Sequence, residues 1–345
     1  AGHDSFPREL AEEVLGAEAM SLHAKVCPED SELNMSHLGL ALSGFVNGVA
    51  RRHGEVSRAM FPGHQIHAIT NGVHTRTWTS APFQALFDQH IPQWRHQSYA
   101  LRLADKIPLC EILAAHAAAK RALIDAVQAR VGVHLDPDAF TIGYGRRSTA
   151  YKRPTLLFHD PVRLQELVAR RGPLQVIYAG KAHPRDSEGK ELITAIHGLR
   201  EQLGPGVRLV YLPGYDMTLG LLMTSGVDLW LNTPRAPLEA SGTSGMKAAH
   251  NGVPNLSVRD GWWVEGCIEG QTGWAIEPAG EHGPVADAAE AAQIYKLLDE
   301  VILPLYCAKG TGWAEVMRRS ISLAASYFNA QRMLEEYRTR AYRLG

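Results

Sequence analysis

Residues 227–247, VDLWLNTPRAPLEASGTSGMK, indicate the fold class of this chain. An apolar, β-rich segment (227–232) runs into a loop that contains Gly242 and Gly245, and a helical pattern follows. The same alternation of β-rich and helical segments begins near residue 140. The other β-rich runs are TIGYG (141–145), QVIYAG (175–180), VRLVYL (207–212) and PNLSV (254–258). Strands that alternate with helices predict βαβ units and a doubly wound, mostly parallel α/β sheet.

Composition limits the function classes. The chain has 345 residues, of which 45% are hydrophobic, enough for one large or two ordinary domains. Its net charge of −1 argues against general attraction to nucleic acid or an anionic membrane. We find no apolar run of about 18 residues and no signal-peptide pattern, so we expect a cytoplasmic protein. The four cysteines are far apart, which predicts neither a disulfide framework nor a structural zinc site.

The first and last parts of the chain have helical patterns. Apolar residues recur at helical spacing over residues 34–61, where we expect Gly39, Gly44 and Gly48 to allow close packing. Residues 105–132 predict an amphipathic helix that ends at Gly132. Residues 312–344 predict one or two long amphipathic helices.

The loops after the β-rich runs carry the unusual residues. Ligands of doubly wound sheets bind at the carboxyl ends of the strands. Gly242 and Gly245 would let backbone N–H groups approach an anion there. A turn with an ordinary helix N-cap would use the same residues, but Lys247 favours a phosphate contact or a Schiff-base amine. The pattern is not a P-loop, because Ala248 follows the lysine.

A second loop concentrates positive charge. Residues 145–153, GRRSTAYKR, place four cations after a strand: Arg146, Arg147, Lys152 and Arg153. A solvated helix start is the alternative, but cations oppose the dipole at a helix N-terminus. The cluster therefore favours an anionic ligand with more than one phosphate group.

Two further groups of residues favour ordinary structural uses. Four of the 16 histidines lie in one segment, but they form no metal-ligand pattern, and we expect no metal: His53, His64, His67 and His74. Trp262 and Trp263 could stack on a sugar, although buried packing is the more common use of such residues.

Several long motifs together resemble one family. The motifs are ITNGVHTRTW (69–78), RRSTAYKR (146–153), QVIYAGKAHP (175–184) and VDLWLNTPRAPLEASGTSGMK (227–247). In order and spacing they resemble the α-glucan (glycogen, starch or maltodextrin) phosphorylases, most closely the bacterial branch. The resemblance implies a two-lobed GT-B architecture and pyridoxal 5′-phosphate as cofactor. It also implies cleavage of terminal α-1,4-glucosidic bonds by inorganic phosphate, which releases α-D-glucose 1-phosphate.

The resemblance assigns functions to individual residues. A catalytic part falls to Arg147, Lys152, Lys247 and Glu239. The cofactor is expected to contact Lys247, Gly242, Thr243, Ser244, Arg146, Tyr215 and Trp78. The glucosyl unit is expected to contact Asn71, Tyr151, Ser241 and Gly242.

The cofactor and the cations have linked uses in this resemblance. The resemblance implies that Lys247 would form a Schiff base with the cofactor aldehyde and that the cofactor phosphate would relay a proton through the substrate phosphate. It also implies that Arg147 and Lys152 would bind the substrate phosphate, while Arg146 would approach the cofactor phosphate. These cations would offset the repulsion between two phosphates in a low-dielectric cleft.

The sequence departs from the family pattern at a few positions. Ser148 stands where the family has an aromatic residue, which would loosen the turn that positions Arg147 and Lys152. His250 and Pro254 stand where leucines are usual.

The largest departure is in length. We expect residues 1–70 to be a helical remnant of the N-terminal lobe, most of which is missing, and residues 71–345 to form the C-terminal Rossmann-like lobe. One wall of the cleft would then be absent, so we expect little or no phosphorolysis by this chain alone. Self-association, or association with a separate N-terminal lobe, would cover the exposed surface. Two alternatives remain: a non-catalytic cofactor-binding partner domain and, less favoured because of Lys247, a GT-B glycosyltransferase.

Overall fold

The computed structural model describes residues 3–27, 30–280, 282–308 and 310–343, which divide into two compact units. Unit 1 comprises residues 1–48 and 54–68, and unit 2 comprises residues 49–53 and 69–345. The assignment of residues 1–70 to a separate lobe stays a prediction.

Unit 1 consists of short helices and two small sheets. Strands β1 and β2 pair antiparallel, whereas β3 and β4 pair parallel. The elements are β1 (Ser5–Phe6), α1 (Arg8–Leu15), α2 (Ala17–Val26), β2 (Leu33–Asn34), α3 (Met35–Leu42), β3 (Val46–Gly48), α4 (Arg51–Met60, which crosses the unit boundary) and β4 (Ile66–Ala68).

The expectation of helical structure over residues 34–61 is only partly right. Strand β3 separates α3 from α4, because this segment pairs with β4. The expected close packing at Gly39 and Gly44 is wrong, since a Cβ atom at either position would meet no described atom within 4 Å.

Unit 2 is built on a six-stranded parallel sheet. The strands are β5 (Phe140–Arg147), β6 (Leu174–Lys181), β7 (Val207–Leu212), β8 (Leu229–Asn232), β9 (Asn255–Val258) and β10 (Gly273–Ile276). Their order across the sheet is β10-β9-β8-β5-β6-β7, and every neighbouring pair is parallel. This is the doubly wound order, and it reverses between β5 and β8. The predicted fold class is confirmed.

The helices of unit 2 include the predicted ones. They are α5 (Thr75–Trp78), α6 (Ala81–His90), α7 (Leu109–Val131), α8 (Pro161–Arg171), α9 (Ser187–Leu199), α10 (Met217–Gly226), α11 (Thr243–Ala249), α12 (Trp263–Gly266), α13 (Pro284–Leu297), α14 (Leu303–Cys307), α15 (Thr311–Arg319) and α16 (Ala330–Glu336). Helix α7 begins four residues later than predicted but ends at Gly132 as predicted, and Gly132 adopts the left-handed conformation.

The C-terminal segment is interrupted. A π-helical turn (Ser320–Ala325) follows α15, and the Asn329 side chain then caps α16 by accepting from the Arg332 N–H. The prediction of one or two helices over residues 312–344 is therefore confirmed, with two helices formed. Residue 344 lies outside the described residues. Across the described residues, every helix is too short or too polar to span a membrane.

A buried ion cluster lies at the amino end of β8. Asp228 is 2% exposed and accepts hydrogen bonds from Lys120 Nζ (2.6 Å), His116 Nε2 (2.9 Å) and the Thr141 N–H (2.8 Å). Burial opposes ionisation of Asp228, but Lys120 and His116 outweigh it and lower the pKa. Lys120 also donates to the Ala139 carbonyl at 2.8 Å. The cluster ties α7 to two strands of the sheet.

Candidate functional site

The loops after β5 and β8 meet where the strand order of the sheet reverses. Parallel strands whose connections leave in opposite directions open a crevice at their carboxyl ends. Arg146 and Arg147 are the last residues of β5 rather than part of the following loop, and β8 leads through residues 233–242 into α11. The crevice therefore receives both the cationic stretch and the glycine-rich stretch of the sequence.

Two cations share one carboxylate oxygen in this crevice. Glu239 Oε2 accepts from Arg146 Nη2 at 2.7 Å and from Lys152 Nζ at 2.5 Å. All three side chains are at most 10% exposed. Arg146 Nη1 is also buried and has no hydrogen-bond partner among the described residues. The cluster thus carries one more positive than negative charge and leaves a guanidinium nitrogen unpaired.

The surroundings shift the pKa values of this cluster. Burial opposes ionisation of Glu239, but Arg146 and Lys152 outweigh it and lower its pKa. Burial, aided by Arg146, lowers the pKa of Lys152 to about 8. An added anion would favour the charged form of Lys152 further, because a nearby opposite charge raises the pKa of a lysine.

Gly242 allows the close approach of the two loops. It caps α11 with φ +88°, a left-handed conformation that favours glycine. A Cβ atom there would lie 3.3 Å from Trp262, 3.5 Å from Arg146 Nη2 and 3.5 Å from Glu239 Cγ. The glycine therefore keeps open the space beside the cation cluster.

A second group of side chains surrounds Lys247. Its Nζ lies 3.6 Å from the centroid of the Trp78 ring. Burial lowers the pKa of Lys247, and its ammonium group has no carboxylate partner among the described residues. A Cβ atom at Gly220 would lie 3.2 Å from Tyr215 Oη and 3.5 Å from Trp78 Cζ3, so both rings approach this glycine. A lysine that is desolvated beside an apolar ring is typical of an amine that reacts with a carbonyl group.

Other predicted residues lie near the cation cluster. Lys152 Nζ lies 4.5 Å from the centroid of the Tyr151 ring, whose pKa is raised by burial. The Ser241 hydroxyl is buried without a partner among the described residues, while its carbonyl accepts from the Trp262 N–H at 2.8 Å. Arg147 is exposed, but it is close enough to lower the pKa of Lys152. The contacts of Tyr151, Ser241 and Arg147 with a ligand stay predictions.

Of three other predicted residues, Ser244 and Asn71 make framework contacts. The Ser244 hydroxyl accepts from Trp230 Nε1 at 3.2 Å, and Thr243 is the first residue of α11. The Asn71 N–H donates to Val49 O, and its carbonyl accepts from Arg332 Nη2 at 3.0 Å. No hydrogen bond or ion pair within the described ranges connects Asn71 to the cation cluster. Their contacts with ligand stay predictions.

Arg153 does not belong with the ligand-facing cations. Its side chain donates to the carbonyls of Thr233 (3.0 Å) and Pro234 (2.9 Å) and pairs with Asp287 (2.7 Å) and Glu290. Counting it with the anion-binding charges was therefore wrong. Through these four contacts, Arg153 connects the loop after β5 to the loop after β8 and to α13.

Ser148 and the paired tryptophans have packing functions. Ser148 is 7% exposed and its N–H donates to the Lys181 carbonyl at 3.1 Å, which holds the start of the cationic loop against β6. Trp262 and Trp263 are 2% and 0% exposed, so the expected buried packing is confirmed.

Sequence reasoning missed Asp260. Its carboxylate accepts from the Glu239 N–H and the Gly261 N–H, both at 2.9 Å, and burial raises its pKa to about 6. It thereby fixes the backbone of Glu239. Asp260 directly precedes the GWW motif (261–263). An aspartate before a glycine often accepts hydrogen bonds from nearby backbone N–H groups, and this pattern is the signal in the sequence that could have indicated its function.

The fold and this site define a doubly wound α/β protein with a buried cluster of cations at the carboxyl ends of its strands and a desolvated lysine on α11. Comparison with known proteins identifies its family. The sequence profile of the family described as "Carbohydrate phosphorylase" matches residues 3–273. The chain belongs to the carbohydrate phosphorylase family.

Individual relatives agree with this assignment. The chain is 37% identical to the "Maltodextrin phosphorylase" of Thermococcus litoralis over 99% of its own length and 45% of the relative's. It is 36% identical to the "Glycogen phosphorylase" of Aquifex aeolicus, with 91% and 50% covered, respectively. For the "Glycogen phosphorylase" of Mycobacterium tuberculosis the identity is 32%, with 98% and 45% covered. The chain spans about half the length of these relatives.

Proposed function

We propose that this chain is the cofactor-binding part of an α-glucan phosphorylase. Pyridoxal 5′-phosphate would be held with its aldehyde end at Lys247 and its phosphate at Arg146. The reaction would be phosphorolysis of terminal α-1,4-glucosidic bonds in glycogen, starch or maltodextrin, giving α-D-glucose 1-phosphate. The observation that carries the proposal is the buried, unpaired Nη1 of Arg146 in a cluster with surplus positive charge.

The residues present fit the proposed cofactor. An unpaired buried guanidinium nitrogen is costly and favours an oxyanion partner. Gly242 leaves space beside it, since a Cβ atom would approach Arg146 Nη2 to 3.5 Å. The desolvated amine of Lys247 suits an aldehyde, and the rings of Trp78 and Tyr215 suit a flat heteroaromatic group.

The cations of this chain would bind and orient phosphate groups. When bound, the cofactor supplies a phosphate group that can exchange a proton with a neighbouring phosphate. Arg146, Arg147 and Lys152 would offset the repulsion between the cofactor phosphate and inorganic phosphate. Arginine suits bidentate contacts with oxyanions, and lysine acts as a mobile point charge.

Glu239 would connect the phosphate site to the sugar. Its Oε2 accepts from both Arg146 and Lys152, so Oε1 is the oxygen that would accept from a glucosyl hydroxyl. Asp260 holds the Glu239 backbone through the 2.9 Å hydrogen bond to its N–H. Tyr151, Ser241 and Asn71 are the further proposed sugar contacts.

The cofactor assignment is tested by chemical labelling. The purified chain is incubated with pyridoxal 5′-phosphate, reduced with borohydride and mapped by mass spectrometry. We expect a pyridoxyl group on Lys247, its loss in Lys247→Arg, and its retention in the control Lys181→Arg, which changes an exposed lysine. A well-folded wild-type chain without label on Lys247 would refute the assignment.

An activity assay separates a phosphorylase from a cofactor-binding partner domain. The chain is incubated with pyridoxal 5′-phosphate but is not treated with borohydride. Glycogen and phosphate are then added, and the glucose 1-phosphate that forms is measured. Because the chain spans about half the length of its relatives, we expect little product from it alone. Product that rises when a separately expressed N-terminal half of a relative is added, and falls in Arg147→Gln, supports the phosphorylase. No product under either condition favours the non-catalytic alternative.

A further inference from the structure

The C-terminal end of helix α2 in unit 1 brings three potential metal ligands together. One donor atom each from His23, Cys27 and Asp30 lies within 4.8 Å of the others. His23 and Cys27 are four residues apart and share a face of the helix end. The Cys27 N–H donates to the His23 carbonyl at 2.8 Å, and the Asp30 N–H donates to the Cys27 carbonyl at 3.2 Å. This hydrogen bond places the Asp30 backbone at the end of the helix.

Two of these donor atoms are buried without a partner. His23 Nε2 and Asp30 Oδ2 lie 3.9 Å apart, too far for a hydrogen bond, and neither has another partner among the described residues. His23 is 6% exposed and Cys27 is 8% exposed. A buried carboxylate oxygen that faces an imidazole nitrogen without a hydrogen bond is unfavourable. A cation between them would satisfy both atoms.

The second carboxylate oxygen is held by a neighbouring helix. His37 Nδ1 is hydrogen-bonded to Asp30 Oδ1 at 2.6 Å. His37 lies on α3, where the Asn34 side chain accepts from its N–H at 3.1 Å. Partners of this kind orient metal-binding carboxylates. His37 is accordingly a positioning residue for Asp30.

A cavity adjoins two of the three donor residues, Cys27 and Asp30. Its volume is about 370 Å³, and its lining includes Cys27, Asp30, His37 and His64. Water or the His64 imidazole could occupy a fourth coordination position from this side. Three protein ligands with one open position form a common arrangement of zinc sites.

We propose that His23, Cys27 and Asp30 bind one zinc ion. Thiolate, imidazole and carboxylate together suit zinc, whereas calcium and magnesium prefer oxygen ligands alone. Ligands at about 2.0–2.3 Å from a tetrahedral ion lie roughly 3.3–3.6 Å apart when one of them is sulfur and the others are nitrogen or oxygen. The donors, which lie within 4.8 Å of one another, therefore need to approach by about 1.5 Å at most. The Cys27 thiol would release its proton to solvent on binding. The ion would fasten the end of α2 to the segment before α3.

The test begins with the full chain, stripped of metal and titrated with Zn²⁺ against a chromophoric chelator. We expect one tightly bound equivalent per chain. Bound zinc should protect Cys27 from alkylation, as mapped by mass spectrometry, and leave the exposed Cys110 reactive. Co²⁺ should give a thiolate charge-transfer band. A wild-type chain that binds no zinc tightly, or in which zinc leaves Cys27 reactive, would overturn the proposal.

Matched variants identify the ligands. His23→Gln and Cys27→Ser should weaken zinc binding by at least about 100-fold, and His37→Asn by about 10–100-fold. Cys110→Ser should bind as the wild type does. Folding of each variant is checked by circular dichroism. Folded His23→Gln or Cys27→Ser protein with wild-type affinity would contradict the site, and the wild-type alkylation result decides the matter if a variant does not fold.

Discussion

The two ends of strand β8 carry buried ion clusters of different character. At the amino end, Asp228 has three hydrogen-bond donors, and the ammonium group of Lys120 has both a carboxylate and a carbonyl partner. At the carboxyl end, Glu239 has two cationic donors, and Arg146 Nη1 has no partner among the described residues. The first cluster pairs its charged groups, and the second leaves positive charge uncompensated.

This difference shows how to separate framework from function. Burial alone does not mark a ligand site, since both clusters are almost fully inaccessible to water. A charged group whose hydrogen bonds remain incomplete is a better indication of a ligand site, because a ligand that supplies the missing partner offsets the cost of burying the charge. His116 Nδ1 is also unpartnered among the described residues, but an imidazole can stay neutral, whereas a guanidinium stays charged.

The largest expected effect is on stability at the amino-end cluster. Lys120→Met should lower the free energy of unfolding by about 3–5 kcal/mol, because it leaves Asp228 buried without its main counter-charge. Arg146→Met should lower it by about 1–2 kcal/mol, since Glu239 keeps Lys152. Urea unfolding of the two variants measures this. Equal decreases in the free energy of unfolding would contradict the proposed difference between the two clusters.

In cofactor labelling, we expect the larger effect from the other variant of this pair. Arg146→Met should lose most of the pyridoxyl label on Lys247, whereas the folded fraction of Lys120→Met should keep it.

His250 is a third buried group, and it lies three residues after Lys247 in the sequence. Because both of its ring nitrogens have partners, we expect it to contribute to stability and not to ligand binding. Its ring nitrogens are hydrogen-bonded to the Met246 carbonyl (2.8 Å) and Thr75 Oγ1 (3.2 Å), and burial lowers its pKa to about 4. The neutral form is therefore favoured in the folded chain. Its contribution to stability is complete above about pH 6.5 and falls as the pH decreases to about 4, by about 3 kcal/mol.

His250→Leu is the matched variant. It should remove this part of the pH dependence in urea unfolding between pH 7 and pH 4, while Lys247 remains labelled by the cofactor. An unchanged pH dependence would show that His250 titrates normally, and loss of the label in a folded variant would place His250 in the site.

The smallest expected effect concerns anion binding by the carboxyl-end cluster. The pKa of Lys152 is lowered to about 8, chiefly by burial. Sulfate, which does not titrate in this range, should bind Lys152 in its charged form. Its affinity should therefore fall above pH 8, by up to about tenfold per pH unit. Isothermal titration from pH 7 to pH 9.5 measures this.

Lys152→Arg provides the control, because arginine stays charged over the same range. Its sulfate affinity should be nearly independent of pH. A wild-type affinity that also stays flat would show that Lys152 does not contact the anion.

Much of the fold followed from local patterns. The alternation of β-rich and helical segments predicted the doubly wound sheet, and Gly132 predicted the end of α7. Residues 34–61 were harder, because the pairing of β3 with β4 interrupts a helical spacing of apolar residues. The short strand β10 was not predicted from the sequence, and it pairs with β9 at the edge of the sheet.

The site was predictable at the level of loops but not of partners. The rule for carboxyl ends of parallel strands selected the segments that carry Arg146, Lys152 and Glu239. Which cation remains unpaired depends on contacts between residues about 90 positions apart, which no local pattern encodes. For the same reason the sequence did not show that Arg153 braces the loops.

We propose that Arg146 Nη1, which has no hydrogen-bond partner among the described residues, binds the cofactor phosphate. A crystal structure of the chain with pyridoxal 5′-phosphate tests it most directly. We predict a phosphate oxygen at about 2.7–2.9 Å from Arg146 Nη1, with the aldehyde carbon of the same molecule at Lys247 Nζ. An ordered cofactor whose phosphate lies away from Arg146 would contradict the account.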